Sequence, residues 1–268
     1  MSSFRSLERS DPRFTPDGLH FITVKSKHLG GRGDLVAYVP ENAKDQELPM
    51  VLLLHGVYGS AWAWAFKGGA HRTAGRLIQE NKIPPLVLIM PSDGLFGDGS
   101  GYSEMVHGNY EKWILEDVPA SIKEAFSELI FDNHLFICGL SMGGYGALRI
   151  GAKYPNHFSG ISGHSSVTGK EEWAEFIEES LDALLPKSKE EYDPMHWIQK
   201  NKASLPPLRF DCGFSDPLLE SNRMLHANLS ALDIPHIYQE FPGGHEWSYW
   251  EEHLTDSLLF FGRQLIRH

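Results

Sequence analysis

Leu135–Gly151 reads LFICGLSMGGYGALRIG, and the fold turns on this stretch. An apolar run, Leu135 to Cys138, meets Gly139-Leu140-Ser141-Met142-Gly143, and a segment rich in Gly and Ala follows. Gly-x-Ser-x-Gly between a strand and a helix is a nucleophile elbow. So tight a turn strains the serine backbone, and Gly139 and Gly143 remove the side chains that would clash beside it. The Ser141 hydroxyl is then left exposed at the strand's end. Five residues alone are a weak signal, since a chain this long shows such a pattern by chance on the order of one time in ten. The strand before and the small-residue helix after give the pattern its weight.

Around the elbow, strands and helices alternate. Met50 to Leu54 is a continuous apolar run, as in a central strand covered on both faces, and it ends in His55-Gly56-Val57-Tyr58-Gly59. Leu86 to Met90 is a second such run, leading into a glycine-rich loop, Ser92 to Gly101. Phe21 to Val24 and Leu35 to Val39 read as a hairpin about Gly30 to Asp34. The Arg32-Gly33-Asp34 tripeptide there is read as turn chemistry, not as an adhesion signal. Phe158 to Gly163, Phe210 to Phe214 and Ile237 to Phe241 are the later strands. Helices are expected over His71 to Asn81, Glu116 to Ile130, Leu218 to Leu232 and Glu251 to Ile266, with Pro119 in a first turn. Thr168 to Pro207 is acidic and strandless, with an apolar stripe of Trp173, Phe176, Ile177, Leu181 and Leu184. It reads as a helical insertion over the sheet's edge or near the active-site mouth. The expectation is an α/β fold in one domain, 1–268, with about eight mostly parallel strands and helices on both faces.

Composition narrows the function classes. A net charge of −11 argues against nucleic-acid or anionic-membrane partners and fits a small-molecule substrate. Cys138 and Cys212 lie in apolar runs and read as buried free thiols. The N-terminal MSSFRSLERSDPRF lacks a secretory apolar core, and no apolar run approaches the roughly 18 residues of a membrane helix. A cytoplasmic location is expected. No Cys/His ligand spacing appears, so neither metal nor other cofactor is implied.

Serine needs a base to take its proton. In α/β-hydrolases the acid and then the histidine follow the nucleophile along the chain. Phe210 to Phe214 ends in Ser215-Asp216-Pro217, and a carboxylate past a strand's C-terminal end lies where catalytic groups collect in open α/β sheets. Asp216 is the expected acid, although Asp before Pro also reads as a helix N-cap. Asp211 and Asp233 are rivals with poorer placement. The last strand ends in Pro242-Gly243-Gly244-His245, where two glycines let the loop bend back, so His245 is the expected base. His55, His107 and His164 are the alternatives. The oxyanion donors are expected to be the backbone N–H groups of Met142 and Val57. The Asp93 to Gly101 loop, with Tyr102 after it, reads equally as a substrate loop or a long turn. Trp62, Trp64 and Phe66 read equally as pocket wall or core. Substrate contacts are assigned to His55, Trp62, Asp93, Tyr102, His107 and Trp247.

The chain resembles the esterase D, or putative esterase, family of α/β-hydrolases. The resemblance spans roughly Thr23 to Leu265 and rests on LLLHGVYGSAWAW, IMPSDGLFGDGSGY, GLSMGGYGALRIGAKYP, CGFSDPLLESNRML and FPGGHEWSYWEEHL. It is nearest the tributyrin-esterase-like members, with feruloyl and acetyl-xylan esterases, S-formylglutathione hydrolases and mycolyltransferases more distant. It implies Ser141 as nucleophile, Asp216 as acid, His245 as base, and Val57 and Met142 as oxyanion donors. By family analogy it also implies a homodimer or homotetramer. His55 to Gly59 departs from the Ser-Gly-Leu-Thr-Cys-type loop of the S-formylglutathione hydrolases, which disfavours a glutathione thioester. The expected activity is that of a serine carboxylesterase on short-chain acyl esters, working through an acyl-enzyme. The alternatives are an acyltransferase on the same triad, or an esterase removing acetyl or feruloyl groups from sugars.

Overall fold

The computed structural model describes residues 4–265 apart from 42 and 45, so Ile266 of the expected terminal helix lies outside the described residues. The strands are β1 (Leu7–Arg9), β2 (Leu19–Ser26), β3 (Gly31–Tyr38), β4 (Glu47–Leu54), β5 (Val87–Pro91), β6 (Glu104–Met105), β7 (Gly108–Asn109), β8 (Ile130–Leu140), β9 (Gly160–His164), β10 (Leu208–Gly213) and β11 (Ile237–Phe241). The helices are α1 (Ala63–Phe66), α2 (Ala70–Gln79), α3 (Tyr110–Lys112), α4 (Val118–Ala125), α5 (Met142–Lys153), α6 (Lys170–Ala174), α7 (Leu181–Leu184), α8 (Pro194–Lys200), α9 (Leu219–Ala231) and α10 (Trp247–Leu265). Nine strands form one sheet in the order β1-β2-β3-β5-β4-β8-β9-β10-β11, and β6 and β7 pair separately. From β5 to β11 every pairing is parallel, while β1, β2 and β3 add an antiparallel edge. This is the α/β-hydrolase architecture, with one strand more than expected. The additional strand is β1, three residues of Leu-Glu-Arg with no apolar pattern to announce it.

Burial explains the strand sequences. Every residue of β5 and β9 is buried, and so is all of β4 beyond Glu47, because helices cover both faces of the parallel region. One core cluster holds Leu52, Leu54, Ile137, Tyr145, Leu148 and Trp173. The other holds Val51, Leu53, Phe136, Leu254, Leu258 and Phe261, on the opposite face of the same strands.

Three expectations are corrected. Arg32, Gly33 and Asp34 lie inside β3 with Thr23 Oγ1 donating to Asp34, so the tripeptide is strand and not turn. The Glu116 to Ile130 helix is shorter: a π-helical turn covers Trp113–Asp117, α4 ends at Ala125, and Ile130 opens β8. The insertion is strandless as expected, but it is broken into α6, α7 and α8 with short turns between them; Pro186 follows the end of α7 and Pro194 opens α8. Cys138 and Cys212 are buried and unpaired.

Candidate active site

The elbow has the geometry its glycines anticipate. Ser141 sits at φ 53°, ψ −120°, between the end of β8 and the first residue of α5. A Cβ on Gly139 would lie 2.1 Å from the Gly143 carbonyl oxygen, and one on Gly143 would lie 2.2 Å from the Leu54 carbonyl oxygen. No side chain fits at either place. The strained serine is held from outside: its N–H donates to the His164 carbonyl at 2.9 Å, and its carbonyl accepts from Val167 N–H at 3.1 Å.

Asp216 and His245 arrive from the ends of β10 and β11. Their loops are pinned together, since Ser215 N–H donates to the Gly243 carbonyl at 2.8 Å. Gly243 takes φ +128°, which lets the loop turn back. His245 Nδ1 lies 2.9 Å from Asp216 Oδ2, and His245 Nε2 lies 3.0 Å from Ser141 Oγ. The carboxylate fixes the proton on Nδ1, leaving Nε2 to accept from the serine hydroxyl. Asp216 Oδ1 also accepts from Leu218 N–H at 2.9 Å, closing a turn ahead of α9; the N-cap of that helix is Leu218, so the N-cap reading of Asp216 is corrected. Burial pushes the Asp216 carboxyl up, but the His245 hydrogen bond and charge and the Leu218 N–H outweigh it. The group is held below the usual carboxylate range.

His164, weighed as a base, is fully buried. Its imidazole lies against Asp211 and Ser257 rather than the Ser141 hydroxyl.

Val57 and Met142 are placed by the backbone. Met142 is the first residue of α5, so its N–H has no partner within the helix. The Gly56 carbonyl faces His55 Nδ1 at 2.7 Å and Gly59 N–H at 3.2 Å. The Gly56–Val57 peptide is trans, so the Val57 N–H points the opposite way, off the far edge of that plane. Gly56 itself packs against the elbow, where a Cβ would meet that of Ser141 at 3.2 Å.

A cleft of about 330 Å³ opens above Ser141 and His245. Trp62 and Trp247 line it, together with Val57, Tyr58, Lys67, Leu140, Phe176 and Trp250. The other expected substrate contacts are corrected. His55 is 2% exposed, with the Asp93 N–H donating to its Nε2. Asp93 is buried, and its carboxylate accepts from Leu95 N–H and Ser100 N–H. Tyr102 is buried and donates to the His55 carbonyl at 2.9 Å. His107 is exposed outside the cleft, its ring tilted 34° against that of Phe96. Trp64 is core, its indole N–H donating to the Leu54 carbonyl, and Phe66 stacks on Phe21.

Tyr58, Phe176 and Trp250 escaped the sequence reading. Trp250 carried a signal, being one helical turn after Trp247. Phe176 was hidden in the apolar stripe of the insertion. Tyr58 stood between the two glycines of the expected oxyanion loop.

The chain matches the family model described as Putative esterase over residues 26–261. It is 27% identical to an acetyl esterase of Caldicellulosiruptor saccharolyticus, over 90% of this chain and 97% of that protein. It is 25% identical to Esterase MT1326 of Mycobacterium tuberculosis (strain CDC 1551 / Oshkosh) over 88% of this chain, and there the match spans 56% of the relative's length. Among solved structures, a ferulic acid esterase superposes with a TM-score of 0.80 at 25% identity, covering 92% of this chain and 98% of that one. With the strand order, the elbow and a family match running from β2 into α10, the chain belongs to the putative esterase family.

Proposed function

We propose that this esterase is a serine carboxylesterase acting on short-chain acyl esters. Ser141 is the nucleophile, His245 the base and Asp216 the group that orients His245. The observation that carries the reading is the unbroken contact from Asp216 through His245 to Ser141 at the floor of an open cleft.

Ser141 Oγ attacks the ester carbonyl as its proton passes to His245 Nε2. The carbonyl oxygen becomes an oxyanion facing the Val57 and Met142 N–H groups, and the N-terminal end of α5 adds its positive dipole. His245 then protonates the leaving alcohol, and Ser141 holds the acyl group. Water enters, loses a proton to His245 and attacks the acyl-enzyme, and the second tetrahedral intermediate collapses to free acid and Ser141.

A p-nitrophenyl ester series from acetate to octanoate should show highest kcat/KM at the short end. A fluorophosphonate probe should label the wild type and not Ser141→Ala. No labelling of the wild type would overturn the nucleophile, and equal rates on acetate and octanoate would overturn the chain-length reading.

A second reading is removal of acetyl or feruloyl groups from sugars. It draws on the indoles of Trp62 and Trp247 in the cleft, flat surfaces on which sugar and aromatic rings stack, and on the relatives named acetyl esterase and ferulic acid esterase. Assays with acetylated xylo-oligosaccharide and methyl ferulate separate the two. Among the described residues no helix is long and apolar enough to cross a membrane. The two buried unpaired cysteines support the cytoplasmic reading.

A further inference from the structure

Tyr58 is an unusual residue for its position. It takes φ +59°, a left-handed conformation that a bulky side chain disfavours, and it is 70% exposed, so burial does not hold it there. Hydrogen bonds at its two ends hold it instead. Its N–H donates to the Asp98 carbonyl at 3.0 Å, and its hydroxyl donates to the Phe176 carbonyl. The side chain therefore bridges from the loop that follows β4 to the insertion.

The far end of the bridge is itself fastened. Glu178 N–H donates to Asp98 Oδ2 at 2.9 Å, and Asp98 N–H donates to Glu179 Oε1 at 3.2 Å. Gly97 makes room for this latch, since a Cβ there would lie 2.1 Å from Glu179 Oε1. Three segments distant in sequence are thus tied together at the rim of the cleft.

Where the bridge lands decides which half of a substrate it meets. In the tetrahedral intermediate the oxyanion faces Val57 and Met142, while the departing oxygen must face His245 Nε2 to be protonated. The Phe176 ring lies beside the His245 ring, 6.2 Å between centroids and 14° from parallel. The leaving alcohol passes that ring, and Trp250 stands edge-on to the imidazole at 5.0 Å. We propose that Tyr58 and Phe176 form a bar across the leaving-group side of the cleft that limits the size of the alcohol half of the ester.

The inference rests on Ser141 and His245 as nucleophile and base, and it favours esters of small alcohols over acyl groups carried on bulky or polymeric ones. It makes Tyr58 and Phe176 specificity-determining residues distinct from any limit on acyl length.

The test measures kcat/KM along two series. One keeps the acetyl group and varies the alcohol from ethyl through phenyl to cyclohexyl and 4-methylumbelliferyl. The other keeps p-nitrophenol and varies the acyl chain. Wild type, Tyr58→Ala, Tyr58→Phe and Phe176→Ala are compared, and fluorophosphonate labelling reports the competence of Ser141 in each. Tyr58→Ala and Phe176→Ala should raise the cyclohexyl-to-ethyl ratio at least fivefold with the acyl profile unmoved. Tyr58→Phe, which keeps the ring and loses its anchor, should give a smaller rise. Unchanged alcohol ratios in labelled, folded variants would overturn the proposal, as would a shift confined to the acyl series. Failure of the wild type to label would instead overturn the nucleophile reading beneath it.

Discussion

Replacing His164 by Asn should flatten the alkaline side of the stability profile. His164 Nδ1 lies 2.9 Å from Asp211 Oδ2, and its Nε2 lies 2.8 Å from Ser257 Oγ. Burial is the largest single influence and would lower its pKa, but the charges and hydrogen bonds of Asp211 and Cys138 together outweigh it and push it up to about 9. The other groups in contact are Arg209, which bonds Asp211, Tyr249, which donates to Asp211 at 2.7 Å, and Cys138. Burial tends to raise the Asp211 carboxyl, yet His164 and Arg209 hold it at about 2, so it stays ionised throughout the window. Burial and the Asp211 charge push Tyr249 up, so it stays protonated. The folded-state pKa of His164 therefore lies above the unfolded value near 6.5. Its stabilisation is complete below pH 6.5 and is lost as pH rises through about 9. At about 1.4 kcal/mol per unit, the loss across that window is roughly 3 kcal/mol. For a chain of this size that is roughly 6–12 °C in Tm. Thermal unfolding of wild type and His164→Asn between pH 6 and 9 reads the difference directly. Equal slopes in the two proteins would refute the reasoning. The imidazole would then be neutral, donating from Nδ1 to Asp211 and accepting the Ser257 hydroxyl at Nε2, with Arg209 alone balancing the carboxylate.

Two further outcomes bear on the site. Asp216→Asn should leave the fold intact and lower kcat on p-nitrophenyl acetate by a factor on the order of 10⁴, because an amide no longer enforces the Nδ1–H tautomer. Gly143→Ala should abolish the soluble fold: its Cβ would meet the Leu54 and His55 carbonyl oxygens at 2.2 and 2.5 Å, both backbone atoms that cannot swing aside. Soluble yield and circular dichroism would show it, and a native-like spectrum would contradict the packing.

The parallel sheet was legible because its strands are buried on both faces and so read as unbroken apolar runs, Met50 to Leu54 and Leu86 to Met90 above all. The expected triad was legible because parallel strands deliver their C-terminal ends to one edge, so Asp216 and His245 could be placed by chain position once the elbow motif had given Ser141. The cleft walls were not. Phe176 belongs to an apolar stripe in which Trp173 and Leu181 are core, and only the break after α6 turns it toward His245. β1 and the π-helical turn at Trp113 escaped for a related reason. Each depends on partners distant in the chain, β2 for the one and the Ser92 carbonyl that accepts the Trp113 indole N–H for the other.

The misassigned residues form a pattern of their own. His55, Asp93 and Tyr102 stand beside the motifs and have functional chemistry, which is why they read as substrate contacts. Their polar atoms are instead spent on backbone. Tyr102 donates to the His55 carbonyl, the Asp93 N–H donates to His55 Nε2, and His55 Nδ1 is thereby left to donate to the Gly56 carbonyl. That last bond sets the plane of the Gly56–Val57 peptide and so the direction of the proposed oxyanion donor. The Asp93 carboxylate closes the glycine-rich loop on itself, bringing Gly99 against the side chains of Met142 and Val57, where a Cβ would lie 2.5 Å from the Met142 sulfur. These three side chains act one peptide away from the chemistry. Their replacement should change kcat through the geometry of the Val57 N–H and leave the preference for alcohol or acyl group to Tyr58, Phe176 and the tryptophans.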